Sequence, residues 1–274
     1  MILAPGERAL IALDVDGTVL REDGSLGDDT LREVRRVAAL GHEVMIATGR
    51  SVSMTLPIVD RLGLTSSYVV CANGAIVLGR DPAAPVGYSP AFVETFDPTE
   101  VLTTIRGHLE GASFAVEDAD GVFRFTGSFP EGALAASRQR VAFEELLHVQ
   151  ATRVVVISPD HAIEDFLAVV EQMGLHKVSY NVGWTAWLDI APDGVNKATG
   201  LERVRAELGI PRDRVMVMGD GRNDIDMLGW AVEGGGFGIA MAQAPEEVLA
   251  AANERTASDL DDGVALALAR HFQD

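Results

Sequence analysis

Four short apolar runs in this sequence each end at, or one residue before, a small polar or charged residue. They are residues 9–13 before Asp14, 44–47 before Thr48, 68–71 before Asn73, and 215–218 before Gly219 and Asp220. Continuously apolar strands of this length are typical of a parallel sheet that helices cover on both faces. Ligands bind such sheets beyond the carboxyl ends of the strands. We therefore expect these polar groups at one edge of one sheet.

Helical patterns alternate with these runs. Between the first two runs, the apolar residues of 28–41 recur at helical spacing, after an acidic start and before a stop signal at Gly41. A second helix is predicted over 196–208, ahead of the fourth run. The alternation predicts an α/β protein with a Rossmann-like core and a mainly parallel sheet.

The pattern changes in the middle of the chain. A loop-like stretch with three prolines, 81–90, leads into short strand patterns that are mixed with helical patterns at 98–109 and 162–174. The strand patterns lie at 114–118, 122–127, 153–158 and 177–182. They predict an α+β unit that is inserted into the first unit. The expected domains are a core in two parts, 1–82 and 189–274, and the inserted unit, 83–188.

Composition narrows the class of protein. The net charge of −19 repels nucleic acid phosphates and anionic membrane surfaces, so we expect neither as a partner. No apolar run reaches the roughly 18 residues that span a bilayer, and the first residues lack the basic flank and apolar length of a signal peptide. The single cysteine, Cys71, has no partner for an internal disulfide and is expected to be a buried hydrophobe. We predict a cytoplasmic monomer or homodimer.

The paired acids Asp14 and Asp16 have several explanations. Taken alone, they are explained equally well by a turn, where aspartate and glycine are common. A calcium-binding loop fails because Thr18 stands at the third ligand position and Val19 at the required glycine. A phosphate-cradling P-loop is absent, and the glycine-rich stretch 234–238 matches no dinucleotide-binding fingerprint.

Two further acids favour a functional explanation. Asp220 and Asp224 follow the fourth apolar run, so they are expected near Asp14 and Asp16. Four carboxylates at one edge repel one another unless a cation or protons neutralise them. Hard oxygen ligands without nearby histidine or cysteine favour Mg²⁺, which joins a few carboxylates to a phosphate.

Three other polar side chains suit the oxygens of a phosphoryl group. Thr48 has a hydroxyl and Asn223 an amide, although by itself Thr48 is better explained as a helix cap and Asn223 equally well by a turn. Lys197 stands at the start of a predicted helix, where the helix dipole disfavours a cation. Because it is one of only two lysines, we favour a functional role for it.

Four motifs together resemble those of the haloacid dehalogenase-like phosphatases. They are DVDGT at 14–18, ATGR at 47–50, the NK of GVNKATGL at 196–197, and GDGRND at 219–224. Their order, with an insert after the second motif, resembles the Cof-like branch (type IIB), in which an α+β cap occupies that place. The resemblance covers residues 9–82 and 189–270. The insert resembles the cap of that branch in architecture only.

The resemblance implies a mechanism. Asp14 would attack phosphorus to form an aspartyl-phosphate, while Asp16 would first protonate the leaving oxygen and then take a proton from water. Mg²⁺ would be held by the carboxylates of Asp14 and Asp220 and the backbone carbonyl of Asp16, with Asp224 close by through water or orienting Lys197. The transferring group would be held by Thr48, Lys197 and Asn223.

The expected function is a Mg²⁺-dependent phosphatase for small phosphorylated metabolites, with sugar phosphates the leading class. The alternatives are a phosphosugar mutase with the same core chemistry and, disfavoured, a non-catalytic phosphate-binding module or a dehalogenase. The loop 240–244 reads AMAQA where relatives often have AMGNA. The roles of Arg50, Trp184 and Trp187 stay open.

Overall fold

The computed structural model describes residues 6–109, 111–135, 137–158, 162–173, 178–182 and 186–273. The strands are β1 Leu10–Leu13, β2 Glu43–Ile46, β3 Tyr68–Cys71, β4 Ile76–Arg80, β5 Tyr88–Val93, β6 Ser113–Asp118, β7 Phe123–Phe125, β8 Arg138–Arg140, β9 Ala151–Ile157, β10 Val178–Val182, β11 Trp187–Pro192, β12 Val215–Gly219, β13 Phe237–Ala240 and β14 Glu254–Arg255. The helices are α1 Asp28–Ala39, α2 Val52–Leu62, α3 Thr99–His108, α4 Phe143–Leu146, α5 Ile163–Met173, α6 Lys197–Glu207, α7 Ile225–Glu233, α8 Glu246–Ala251 and α9 Gly263–His271.

The first sheet is parallel and has the strand order β14-β13-β12-β1-β2. In its centre, Leu10 of β1 is opposite Glu43 of β2 on one side and Val215 of β12 on the other. The two ends of the chain therefore build one sheet, as predicted. The third apolar run differs from the prediction in part, because β3 is bridged in parallel to the end of β2 but pairs antiparallel with β4.

Helices cover both faces of this sheet. Alternate side chains of β1 point to opposite faces: Leu10 packs with Leu201 of α6, whereas Ile11 packs with Val34 of α1. Burying each of these aliphatic side chains contributes about 1.5–3 kcal/mol. Burial on both faces explains why the strands are apolar throughout rather than alternating.

The predicted helices begin and end close to their sequence signals. Helix α1 begins with the acidic pair of 28–29 and ends before Gly41, whose φ is +93°. At the start of α6, Asn196 caps the helix by accepting a hydrogen bond of 3.0 Å from the backbone N–H of Thr199. This N-terminal hydrogen bond fixes the start of α6 and therefore the position of Lys197.

The second sheet has the order β10-β11-β9-β6-β7-β8 and is antiparallel except between β7 and β8. One face packs against α3 and α5, through residues such as Leu102 and Phe166. The other face has a smaller apolar cluster that contacts Met54 of α2. This face is therefore directed at the first sheet, and we call the unit that carries it the cap.

The α/β fold class is confirmed. The exact domain limits at 82/83 and 188/189 stay predictions. Strand β5 belongs to the sheet of β3 and β4, and β11 belongs to the second sheet. Among the described residues, no helix combines the length and apolar character that crossing a membrane requires.

Candidate active site

The carboxyl ends of β1 and β12 bring three acids together. The backbone N–H of Asp14 donates to the carbonyl of Met218 at 3.0 Å, which extends the pairing of the two strands to their ends. One carboxylate oxygen from each of Asp14, Asp220 and Asp224 lies within 4.8 Å of the others, and all three residues are buried. Three of the four acids expected at this edge therefore cluster.

Lys197 lies beneath these acids and is fully buried. Its Nζ donates to Oδ1 of Asp14 and to Oδ1 of Asp224, each at 2.6 Å. Burial alone would lower the pKa of Lys197, but the two carboxylates raise it well above its ordinary value. The side chain therefore stays an ammonium ion, and its position at the start of α6 serves the site rather than the helix.

The acid cluster is nevertheless short of positive charge. Burial raises the pKa of Asp14 well above its ordinary value, and repulsion from Asp224 adds to this while Lys197 opposes it. Burial and the same repulsion raise the pKa of Asp220 to about 7. Hard oxygen donors in a site that disfavours their ionisation fit a small divalent cation such as Mg²⁺.

Asp224 has a positioning role in this arrangement. Its Oδ1 accepts from Lys197, and its Oδ2 accepts from the backbone N–H groups of Asp220 and Gly221 at 3.0 and 2.9 Å. Of the two roles expected for this residue, orienting Lys197 is the one that the hydrogen bonds support.

Asp16 points away from the buried cluster. Its side chain is 62% exposed, and both carboxylate oxygens accept from Arg50, at 2.9 Å from Nε and 2.5 Å from Nη2. The geometry is the bidentate pairing in which guanidinium binds carboxylate most strongly. Arg50, whose role was open from the sequence, is thus a partner of Asp16.

Thr48 and Asn223 line the same cavity as Asp14, of about 350 Å³. The explanation of Thr48 as a helix cap is wrong, because Ser51 stands at the cap position of α2. The hydroxyl of Thr48 instead accepts from the backbone N–H of Arg50 at 3.1 Å. Asn223 donates from Nδ2 to Oδ1 of Asn73 at 3.0 Å.

Gly17 allows Asp220 to come this close. Its φ is +72°, and a Cβ on it would lie 2.3 Å from Oδ2 of Asp220. The Nε2 of Gln243 donates to the carbonyl of Gly17 and, at 3.4 Å, to Oδ2 of Asp220. The glutamine of the AMAQA loop therefore contacts the acid cluster directly.

The sequence did not reveal the cap residues of the site. Arg153 of β9 and Asp189 of β11 line the cavity together with Trp187, whose role was open. The available signal was a charged residue inside each of two apolar strand patterns. Trp184 lies outside the described residues.

Comparisons with known proteins give the family of the chain. A family model described as haloacid dehalogenase-like hydrolase matches residues 11–268. The chain belongs to the haloacid dehalogenase-like hydrolases. A 5-amino-6-(5-phospho-D-ribitylamino)uracil phosphatase of Bacillus subtilis is 29% identical over 96% of this chain and 97% of its own length. A phosphoglycolate phosphatase of Natronomonas pharaonis is 26% identical over 96% and 97%, respectively.

The fold of this haloacid dehalogenase-like hydrolase is also found in solved structures. One is a sugar phosphatase of subclass IIB, with a TM-score of 0.78 and 22% identity over 96% of this chain and 98% of that one. The resemblance to this family that was drawn from the four motifs is thus confirmed, and the solved structure that shares the fold belongs to the type IIB branch. As a member of this family, the protein is an enzyme.

Proposed function

We propose that this hydrolase is a Mg²⁺-dependent phosphatase that cleaves phosphate monoesters of small metabolites, with sugar phosphates the leading class. One observation carries the proposal: the carboxylate of Asp14, fixed by Lys197, lines a cavity next to an acid cluster that is short of positive charge. We further propose a cytoplasmic location and a monomeric or homodimeric state.

The metal would be held by the carboxylates of Asp14 and Asp220 and by the backbone carbonyl of Asp16, with Asp224 beside them. When bound, Mg²⁺ neutralises negative charge on the carboxylates and on the substrate phosphate. Lys197 holds Asp14 in place while Asp14 attacks phosphorus, and again while water attacks the resulting aspartyl-phosphate.

Asp14 is the proposed nucleophile. Its carboxylate oxygen forms a bond to phosphorus while the bond from phosphorus to the ester oxygen breaks, and Asp16 gives a proton to that leaving oxygen. Water then attacks the phosphorus of the aspartyl-phosphate and gives a proton to Asp16, while the bond from phosphorus to Asp14 breaks, so that phosphate leaves and the carboxylate of Asp14 is restored. The hydroxyl of Thr48, the ammonium of Lys197 and the amide of Asn223 stabilise the negative charge on the phosphoryl oxygens.

The ion pair of Arg50 and Asp16 adds one requirement to this scheme. While both carboxylate oxygens of Asp16 accept hydrogen bonds from Arg50, neither oxygen is available to the leaving group. Asp16 must therefore leave Arg50 when substrate enters, and the freed guanidinium can then pair with the phosphate.

The test is phosphate release from a panel of sugar and nucleotide phosphates, with Mg²⁺ and with EDTA, for the parent enzyme and Asp14→Asn. We expect release by the parent with Mg²⁺ alone. Equal release by Asp14→Asn would refute the nucleophile, and no effect of EDTA would refute the metal. An isomeric sugar phosphate in place of free phosphate, with a requirement for a bisphosphate activator, would establish the mutase alternative.

A further inference from the structure

The face of the cap sheet that is directed at the acid cluster carries three ionisable side chains close together. Glu117 of β6 is directly opposite Arg153 of β9, and Asp189 of β11 is opposite Val155. Residues two apart in a strand share a face, so Arg153 and Val155 point to the same side of the sheet. Their cross-strand partners Glu117 and Asp189 point to that side as well. The three charged residues therefore share a face with the apolar cluster that contains Ala115 and Val155.

Arg153 and Asp189 form a buried ion pair. Nε and Nη2 of Arg153 lie 2.6 and 2.7 Å from the two carboxylate oxygens of Asp189, and Nη1 lies 4.0 Å from Oε2 of Glu117. Arg153 is only 8% exposed. Neither carboxylate oxygen of Glu117 has a hydrogen-bond partner among the described residues.

This pair is connected to the proposed phosphate site. Oδ2 of Asp189 accepts from Nδ2 of Asn73 at 3.2 Å, and Asn73 in turn accepts from Asn223. Asn73 lies in a turn with φ of +51°, which holds its amide between the two units. Arg153 and Asp189 both line the cavity of Asp14, so they form its cap-side wall.

The cap-side wall carries no excess of positive charge. Among the described residues that line the cavity, the cations are Arg50 and Arg153, and each is paired with a carboxylate. Glu117 adds negative charge behind Arg153 when it is ionised. A second anionic group on the substrate would therefore meet no unpaired cation here, and burying it would be costly. A neutral hydroxyl would find an acceptor in Asp189 and a donor in Arg153.

We propose that the Arg153–Asp189 pair selects phosphate esters whose leaving group bears neutral hydroxyls and discriminates against those that bear a second anionic group. The inference rests on the proposed phosphatase function and specifies its substrate class. Asp189 is the residue that contacts the leaving group, and Arg153 both contacts it and positions Asp189. Trp187 and Met54 provide the apolar part of the same cavity.

Matched esters test the inference. Terminally phosphorylated glycerol and glycerate differ only in an alcohol against a carboxylate, and phosphorylated sorbitol and gluconate form a longer pair with the same difference. For the parent enzyme we expect kcat/KM to be at least about tenfold higher for the alcohol in the pair that is turned over faster. Equal kcat/KM within both pairs would overturn the inference while the phosphatase function stands.

Two variants separate the roles. Asp189→Asn leaves Arg153 without its counter-charge, so we expect the preference for the alcohol to fall about tenfold or more. Arg153→Gln leaves Asp189 and Glu117 unbalanced, so the preference should rise. An unchanged ratio in both variants would overturn the inference.

A second ion pair of the cap is the control. Arg124 donates to Asp118 at 2.6 Å, and neither residue lines this cavity. Asp118→Asn should keep the parent's ratio; if it shifted the ratio as much as Asp189→Asn, the inference would be wrong. Hydrolysis of none of the esters by any form would overturn the phosphatase function, and the inference with it.

Discussion

The ammonium group of Lys197 donates a hydrogen bond of 2.6 Å to Asp14, a residue 183 positions earlier in the chain. The lysine is fully buried and also binds Asp224 at the same distance. It is the buried side-chain cation that compensates the acid cluster from below. The stability of the two-part core and the chemistry of the site therefore depend on one side chain.

Lys197→Met should cost about 3–5 kcal/mol of the free energy of unfolding, because it leaves buried carboxylates without their cation. Urea unfolding with EDTA measures this loss. Arg203→Met is the control on the same helix, since Arg203 forms an exposed pair with Glu94 and such pairs contribute about 1 kcal/mol or less. Similar losses for the two variants would contradict the role of Lys197.

Mg²⁺ should raise the thermal unfolding temperature of the parent, and Asp220→Asn should abolish most of that rise. A ligand that binds only the folded state adds about 2.7 kcal/mol at one hundred times its Kd, and this variant removes an expected carboxylate ligand. Thermal unfolding over a Mg²⁺ titration is the measurement. Asp213→Asn, at an exposed residue before the same strand, should respond as the parent does. A full response of Asp220→Asn would disprove the assignment.

Gly17→Ala should lower phosphatase activity by at least about tenfold, because the new Cβ would displace the carboxylate of Asp220. The matched control is Gly24→Ala. Gly24 has a similar φ of +77°, but a Cβ on it would meet no other atom within 4 Å. Both variants should lose about 1–2 kcal/mol of stability from the left-handed backbone, and only Gly17→Ala should lose activity. Equal activities would mean that the close approach to Asp220 is unimportant.

Glu117→Gln should change how stability depends on pH. Burial, opposed in part by Arg153, raises the pKa of Glu117 from 4.5 to about 7. The folded parent thus keeps a proton that the unfolded chain releases. This contribution to stability is fully present below pH 4.5 and is lost as the pH rises through 7, to a total of about 3 kcal/mol.

Urea unfolding of Glu117→Gln and the parent at pH 5 and pH 8, with EDTA throughout, measures that difference. The free energy of unfolding of the variant, relative to the parent, should be higher at pH 8 than at pH 5. Glu131→Gln, at an exposed cap residue, should show no such change. A constant difference between Glu117→Gln and the parent at both pH values would show that Glu117 does not titrate in this range.

Which core residues lie close together could be predicted from the sequence because its signals are local. An apolar run that stops at Asp14, Thr48 or Asp220 marks a strand end whatever the partners of that strand are. Since parallel strands carry their carboxyl ends to one edge, the three residues could be expected together before any pairing was known. Lys197 was likewise marked by its unfavourable place at a helix start.

The cap side of the site could not be predicted in the same way. Whether Arg153 and Asp189 meet depends on the register of β9 against β11, and a shift of one residue would turn either side chain to the helix-covered face. The pairing of Arg50 with Asp16 depends on the rotamers of two side chains, one of them long and flexible. A local sequence pattern predicts neither the register between two strands nor the rotamer of a side chain.

The position of β1 between β2 and β12 has a consequence for synthesis of the protein. A ribosome adds about 5–20 residues per second, so Asp14 is made about 10–40 s before the lysine that binds it. During that interval β1 has β2 on one side and an unpaired edge on the other. The growing chain therefore carries Asp14, the proposed nucleophile, long before Lys197 can bind it, and the acid cluster is complete only when the last third of the molecule has closed the sheet.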